Sequence, residues 1–368
     1  MNKKAKFSGR ARQFFYSVLG STRTKSIISL YYRKKFRKKF FSFPVDPQSI
    51  DNVLVVLPES TLEILYQLKN ILSMMAIFTN AKVTALCPDT GVALLKMIPE
   101  LEIVEYPTDD PDRFIVFSFF KRQFKNNVDI CILLDRTPDI AKVSFVVSTN
   151  AQIRAGYKDT VDFPFLNLKV GANPDDHYLP QRNCMMAEKF GKGFKTLKFS
   201  VSKNLIDEVE CLLKEQRISY GDGLIGVDAL YFLDKYGQQW FLKLVALIKK
   251  EFSANIYCYL FREPSQKEVT FFTGEKIRCI TPLVESRLAA LVTKTSLIVS
   301  SNSVFYGLGA MFGIKAIGFF NSDDYKIFCP GTRNVQGVIY DEKTDEQCLV
   351  ELCTQMKHMM EPTAHHKK

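Results

Sequence analysis

The sequence predicts an α/β chain built from two doubly wound units of similar size facing a cleft, preceded by a basic extension. Three observations carry this. Short, largely apolar strands alternate with helix-period segments from residue 46 onward. The alternation pauses near residues 200–220 and restarts at Leu224. The first 40 residues share neither pattern and contain no Asp or Glu. Continuous apolar strands that alternate with helices belong to parallel sheets covered on both faces.

In the first unit Asn52–Pro58 (NVLVVLP) reads as a buried strand. Thr61–Phe78 follows as a helix, with Leu62, Leu65, Leu68, Leu72 and Met75 at helical spacing. Ala81–Cys87 reads as a strand, Val92–Met97 as a helix and Glu102–Tyr106 as a strand. Asp129–Leu134 and Lys142–Val147 are short buried elements, and Arg182–Phe190 and Leu205–Lys214 are helices.

In the second unit Leu224–Ala229 reads as a strand, Trp240–Glu251 as a helix, and Asn255–Leu260 and Lys276–Ile280 as strands. Val284–Thr293 and Tyr306–Phe312 read as helices around a strand at Leu297–Val299; Ala316–Phe320 is a strand and Asp345–Met359 a closing helix. The organisation is therefore a leader at 1–45, a first domain at 46–210 and a second at 211–368.

Charge separates the leader from the body. The leader holds 13 of the 50 Lys and Arg, six of them within Arg33–Lys39, which leaves 37 basic against 39 acidic residues elsewhere. The net charge of +11 thus resides in a head interleaved with Phe14, Phe15, Tyr16, Tyr31, Tyr32, Phe36, Phe40, Phe41 and Phe43. Residues 1–43 suit docking on an anionic membrane surface, rings at the acyl boundary and cations among headgroups. A disordered tail and a nucleic-acid-binding arm are the alternatives. Nucleic acid is disfavoured because the body carries no module that binds it. No apolar run reaches the roughly 20 residues of a spanning helix.

Nine scattered cysteines without a CxxC suit free thiols in a reducing cytoplasm. Apart from His358, His365 and His366 at the C-terminus, His177 is the one histidine, which argues against a histidine zinc site or a Ser-His-Asp triad. No cofactor and no metal are expected. Gly221-Asp-Gly-Leu-Ile-Gly226 matches GxGxxG but precedes a strand, so these glycines read as a turn. The pairs Asp109-Asp110, Asp175-Asp176 and Asp323-Asp324 read as solvated turns.

A set of stretches in order resembles the heptosyltransferase-like glycosyltransferases of family nine, typified by the ADP-heptose:lipopolysaccharide enzymes. They are VLPESTLEILYQLKNI, LCPDTGVALLKMIPELEIVEYP, DICILLD with TNAQIRAGY, MAEKFG, DKYGQQWFLKLVALIKKEF and PLVESRLAALVTKTSLIVSSNSVFYGLGAMFGIKAIGFF. The resemblance runs from Asn52 to the C-terminus. It implies a GT-B fold of two Rossmann-like domains, the acceptor on the first and the nucleotide-sugar donor on the second. It also implies inverting, metal-independent transfer onto a lipopolysaccharide-type or other envelope glycan, at the cytoplasmic face of the inner membrane. A catalytically inactive relative that binds glycan or protein is the alternative.

Carried over by position, Glu63 stands where the family places an Asp proposed as base. It is equally the fourth residue of a capping box, Ser60-Thr-Leu-Glu63. Arg154 matches an arginine of the acceptor domain, with a structural role as its alternative. Lys235 matches a lysine able to reach the donor diphosphate, or else is a solvated surface residue. The family's nucleotide loop, Asp-Thr-Gly-x-x-His, here reads Asn302, Ser303, Val304 and then Gly307, after Ser301 and with Ala310 and Gly313 retained. Ser303 can still cap a helix whose N–H groups face a phosphate. Val304 and Gly307 remove a glycine and a histidine.

Overall fold

The computed structural model describes residues 41–360 apart from 42–43, 109–112, 159–165, 172–178, 192–199, 221–222 and 253–254. Residues 1–40 and 42–43 of the leader, with the membrane docking expected of it, the acidic pairs at 109–110 and 175–176, His177, and the first two residues of the GxGxxG match lie outside the described residues. The chain divides into two compact units, with the boundary between residues 199 and 200 and a short exchange at 177–179.

The first unit holds β1 (Asn52–Val56), α1 (Thr61–Ile77), β2 (Lys82–Pro88), α2 (Val92–Leu95), β3 (Glu102–Tyr106) and α3 (Arg113–Phe124). Then follow β4 (Ile130–Leu133), α4 (Ile140–Ser148), β5 (Ile153–Tyr157), β6 (Leu168–Val170) and α5 (Leu179–Glu188). Its six-stranded sheet runs β3-β2-β1-β4-β5-β6, every pairing parallel. Leu54, Val56, Leu86, Cys131 and Leu133 meet Phe117, Phe120, Phe124, Phe145 and Val146 from α3 and α4 in one core.

The second unit begins with α6 (Lys203–Glu215), β7 (Leu224–Asp228), α7 (Ala229–Phe252), β8 (Asn255–Tyr259), α8 (Gln266–Gly274) and β9 (Cys279–Ile280). It continues with α9 (Glu285–Thr293), β10 (Leu297–Ser301), α10 (Val304–Phe312), β11 (Lys315–Phe320), α11 (Ser322–Phe328), β12 (Val335–Ile339) and α12 (Asp345–Met360). The sheet runs β12-β11-β10-β7-β8-β9, again all parallel. Counted from its own first strand, each sheet has the order 3-2-1-4-5-6 of doubly wound nucleotide-binding folds. The expected fold class is thus observed, unit by unit. No helix among the described residues is long and apolar enough to cross a membrane.

The short buried element read at Lys142–Val147 is the helix α4, whose start Asp139 caps by accepting the Lys142 N–H at 2.7 Å. Three local expectations need correction. Gly226 is not in a turn. It is the centre of β7, where an added Cβ would come within 2.5 Å of the Tyr257 hydroxyl and 2.7 Å of the Phe305 ring. Asp323 and Asp324 form the first turn of α11, capped by the Asn321 side chain, where acidic groups favour the helix N-terminus. The helix read as Trp240–Glu251 starts earlier, at Ala229, and is broken at Gly237, whose φ of 81° and ψ of 172° leave the helical region.

Candidate functional site

In a doubly wound sheet, ligands bind beyond the carboxyl ends of the strands, where the strand order reverses. That point lies between β1 and β4 in the first unit and between β10 and β7 in the second.

Beyond β1 the chain passes through Glu59 and Ser60 into α1; beyond β4 it passes through Leu134, Asp135 and Arg136 towards α4. These loops build a dense charged network. Lys142 of α4 is wholly buried, with Nζ 2.5 Å from Asp135 Oδ2 and 3.5 Å from Glu59 Oε1. Glu59 also pairs with Arg113 at the start of α3, and Arg113 Nε lies 3.8 Å from Asp139. Asp135 accepts the Thr137 N–H at 2.9 Å, which fixes the loop. Arg136 lies 4.2 Å over the Tyr157 ring and donates to Asn183 Oδ1 at 3.2 Å. Beneath it, Tyr157 donates to Gln67, and Gln67 donates to the Leu134 carbonyl. Low-dielectric surroundings make such pairs strong only because each charge is compensated.

Glu63 sits over this network in the first turn of α1. Ser60 occupies the N-cap position, but its side chain makes no capping bond, so the expected capping box is absent. The Glu63 carboxyl is held above the usual carboxylate range, first by desolvation and next by the charge of Asp135, while Lys142 and Arg136 pull it down. A carboxylate made more basic by its surroundings is chemically suited to accept a proton.

Arg154 is set apart from this group. It is the second residue of β5, in register with Cys131 near the amino end of β4. Its Nη1 donates to the Ala151 carbonyl at 2.9 Å, and its backbone N–H donates to Asn167 Oδ1 at 2.7 Å. Burial lowers the pKa of its guanidinium. These bonds hold it near the amino end of β5, whereas Glu63 follows the carboxyl end of β1.

The switch point of the second unit is built from hydroxyls around one carboxyl. Asp228 ends β7 at 2% exposure. Its Oδ2 accepts from Ser300 Oγ at 3.0 Å and Ser301 Oγ at 3.1 Å, both from the end of β10. Desolvation pushes its pKa up to about 6, against the lowering effect of these hydrogen bonds. Ser303 caps α10, accepting from the Tyr306 N–H at 3.4 Å, and its Oγ lies 2.8 Å from Ser300 Oγ. With the Ser300 proton directed at Asp228, the Ser303 proton goes to Ser300, so the Ser303 hydroxyl is fully occupied. The structure thus brings Ser301, Asn302 and Ser303 together at the start of a nine-residue helix. That helix ends at Gly313 with φ 70°, the left-handed cap expected of the retained glycine.

Lys235 lies on α7 ahead of the Gly237 break. Its amino group rests over the Tyr340 ring, with the Tyr231 and Tyr236 rings each 5.7 Å away. Desolvation by this cage lowers its pKa. No hydrogen bond or ion pair among the described residues joins it to the serine cluster. Among the described residues no group of three or more His, Cys, Asp and Glu is placed to hold a metal ion.

Sequence reading missed Asp135, Lys142, Glu59 and Arg113 in the first unit and Asp228 and Ser300 in the second. One signal was available for some of them: Asp135 and Asp228 each end, or directly follow, a buried strand, the position from which side chains reach a ligand crevice.

No protein-family model matches the chain, and no curated protein sequence matches it. Solved structures do. The glycosyl transferase family 9 protein from Veillonella parvula aligns over 85% of this chain and 90% of its own, with TM-score 0.65 at 12% identity. E. coli ADP-heptose lps heptosyltransferase II aligns over 83% and 98%, with TM-score 0.60 at 13% identity. E. coli heptosyltransferase WaaC with ADP aligns over 84% and 99%, with TM-score 0.61 at 12% identity. The chain therefore has the fold of heptosyltransferase-like, GT-B-type glycosyltransferases.

Proposed function

We propose that this chain is a glycosyltransferase that takes a nucleotide-sugar on its second unit and a lipid-linked or envelope glycan acceptor on its first. The observation that carries this reading is the pair of residue groups at equivalent switch points: a basic carboxylate in one unit and a serine-capped helix start in the other. Shared fold with heptosyltransferases supports it.

In the proposed reaction Glu63 accepts the proton of an acceptor hydroxyl as that oxygen attacks the anomeric carbon. The bond from that carbon to the diphosphate breaks, and the configuration inverts. The departing nucleoside diphosphate carries the electron pair away. The N–H groups opening α10, with the Asn302 side chain, hold its growing charge without a metal ion; the Ser301 proton is already given to Asp228. A positioned base of this kind contributes about 10²–10⁴-fold to rate. Lys235 would reach the diphosphate only by leaving its tyrosine cage, so its share of donor affinity is small. Arg154 has no part in this scheme. The leader would hold the protein at the inner membrane, where such acceptors reside.

A second reading is favoured by one observation. Asp228 places a buried carboxyl beside the helix start that would hold a diphosphate, and Gly307 supplies no side chain there. Under this reading the fold binds glycan or protein and transfers nothing.

Calorimetric titration of the full chain with nucleoside diphosphates and a nucleotide-sugar panel separates the two. Donor binding that Asn302→Ala weakens, with turnover lost in Glu63→Gln, is expected. A folded protein that binds no nucleotide would overturn the transferase reading.

A further inference from the structure

The helix α3 carries a feature that the reaction does not use. Its inward face, Val116, Phe117, Phe120 and Phe124, is buried in the core of the first unit. Its outward face is also apolar at the start: Phe119 is 71% exposed and Ile115 51%, one turn apart. Phe120 braces the Phe119 ring edge-on at 5.5 Å, so the ring is held outward instead of folding back. Arg122 shares this outward face, and exposed Lys121 and Lys125, the latter one residue beyond the helix, flank it. No Asp or Glu occurs between Arg113 and Asn127. Among the described residues the other exposed large apolar side chains are scattered over the second unit, Phe261 and Val284 in loops, Val269 on α8 and Val350 on α12.

We infer that the outward face of α3 is a membrane-docking surface that inserts Phe119 and Ile115 into the interface of an anionic bilayer, while Lys121, Arg122 and Lys125 pair with its headgroups. Charge decides the occupant. The acid-free leader carries 13 positive charges and would be repelled by these three cations, and a second copy of the face would be repelled in the same way. An anionic lipid surface satisfies both halves of the face at once. The arrangement also has a direction. Arg113, at the start of α3, is paired with Glu59 of the switch-point network, so the inserted turns are those nearest Glu63. Docking through this face would hold the acceptor side of the first unit at the lipid surface. The surface is separate from the leader and does not depend on transferase chemistry.

The test uses the full chain and phosphatidylcholine vesicles with and without phosphatidylglycerol. Ile115→Ser with Phe119→Ser should weaken partitioning into the anionic vesicles about tenfold, and Lys121→Gln with Arg122→Gln and Lys125→Gln should lower its salt sensitivity measurably, the 13 leader cations supplying the remainder. Circular dichroism checks that each variant is folded. Independently, Phe119→Trp places an indole in the face, and brominated lipids should quench it; the native Trp240 is buried in the second unit and reports little. Vesicle binding that none of these substitutions changes, with an unquenched indole at position 119, would assign docking to the leader alone and overturn the inference. So would concentration-dependent self-association abolished by the serine pair without any vesicle binding.

Discussion

The two units have the same strand order and opposite chemistry at the same topological point. At the β1–β4 edge, carboxylates and cations are interlocked, with Lys142 wholly buried between Asp135 and Glu59. At the β7–β10 edge, a single carboxyl is surrounded by hydroxyls and a helix start, with no cation among its hydrogen-bond partners. One edge is built to hold charges in fixed relation and tune a neighbour, Glu63. The other leaves positive potential at backbone N–H groups for an incoming anion. Strand topology sets where a site can form; the four or five residues after each strand decide what it can do.

The contrast can be broken most sharply at Glu63. Glu63→Gln should lower kcat by about 10²–10⁴-fold with donor affinity unchanged, since the base belongs to the first unit only. Steady-state kinetics beside donor titration checks both halves.

Next in size is the buried pair. Lys142→Met leaves Asp135 buried without its partner and should cost about 3–5 kcal/mol in urea unfolding. Adding Asp135→Leu should restore a large part of that loss, because the orphaned charge and not the lost attraction dominates. A simple sum of the two single effects would refute this account of the network.

Asp228 tests the other edge through pH. Its pKa is raised to about 6 in the folded state, above the roughly 3.9 of an unfolded aspartate. The folded state therefore binds the proton more tightly between these values. Stability from this group is fully present below about pH 4 and is lost as pH rises through 6, by on the order of 2–3 kcal/mol. Asp228→Asn should flatten that part of the stability profile and tighten nucleoside diphosphate binding near pH 7, by removing a buried negative charge. An unchanged slope between pH 4 and 6 would show that other groups set it.

The smallest effects compare two serines. Ser303 makes its cap bond and Ser60 does not. Ser303→Ala should cost about 1 kcal/mol, whereas Ser60→Ala should stay within roughly 0.5 kcal/mol. Thermal unfolding of both variants gives the difference directly.

The strands were legible because NVLVV, ICIL and LIVSS each hold an unbroken run of three or four apolar residues, as parallel strands buried on both faces require. The helix α3 was not, because RFIVFSFFKRQF is apolar on both faces at its start and yields no helical period. The same outward residues that hid the helix give it a surface to explain. Ser303 was recognised as a cap because that signal is local, a hydroxyl just before a helix. The charged network could not be read. Glu59, Arg113, Asp135 and Lys142 come from four separate loops and helices, and only the folded sheet brings them within ion-pair distance. Gly226 misled for a related reason: its role is to admit the Tyr257 and Phe305 rings, which lie far along the chain.

The reversed strand order has a kinetic side. Val53 pairs with Ile130 across the β1–β4 seam, and Ile225 with Leu297 across the β7–β10 seam. Each seam thus joins segments roughly 75 residues apart, a costly loop to close during folding. The crevices that would hold substrates therefore coincide with the junctions whose assembly must wait for most of a unit to be in place. A ligand seated there would clamp the two halves of a sheet to each other, and its occupancy would be read as slower unfolding of the unit that holds it.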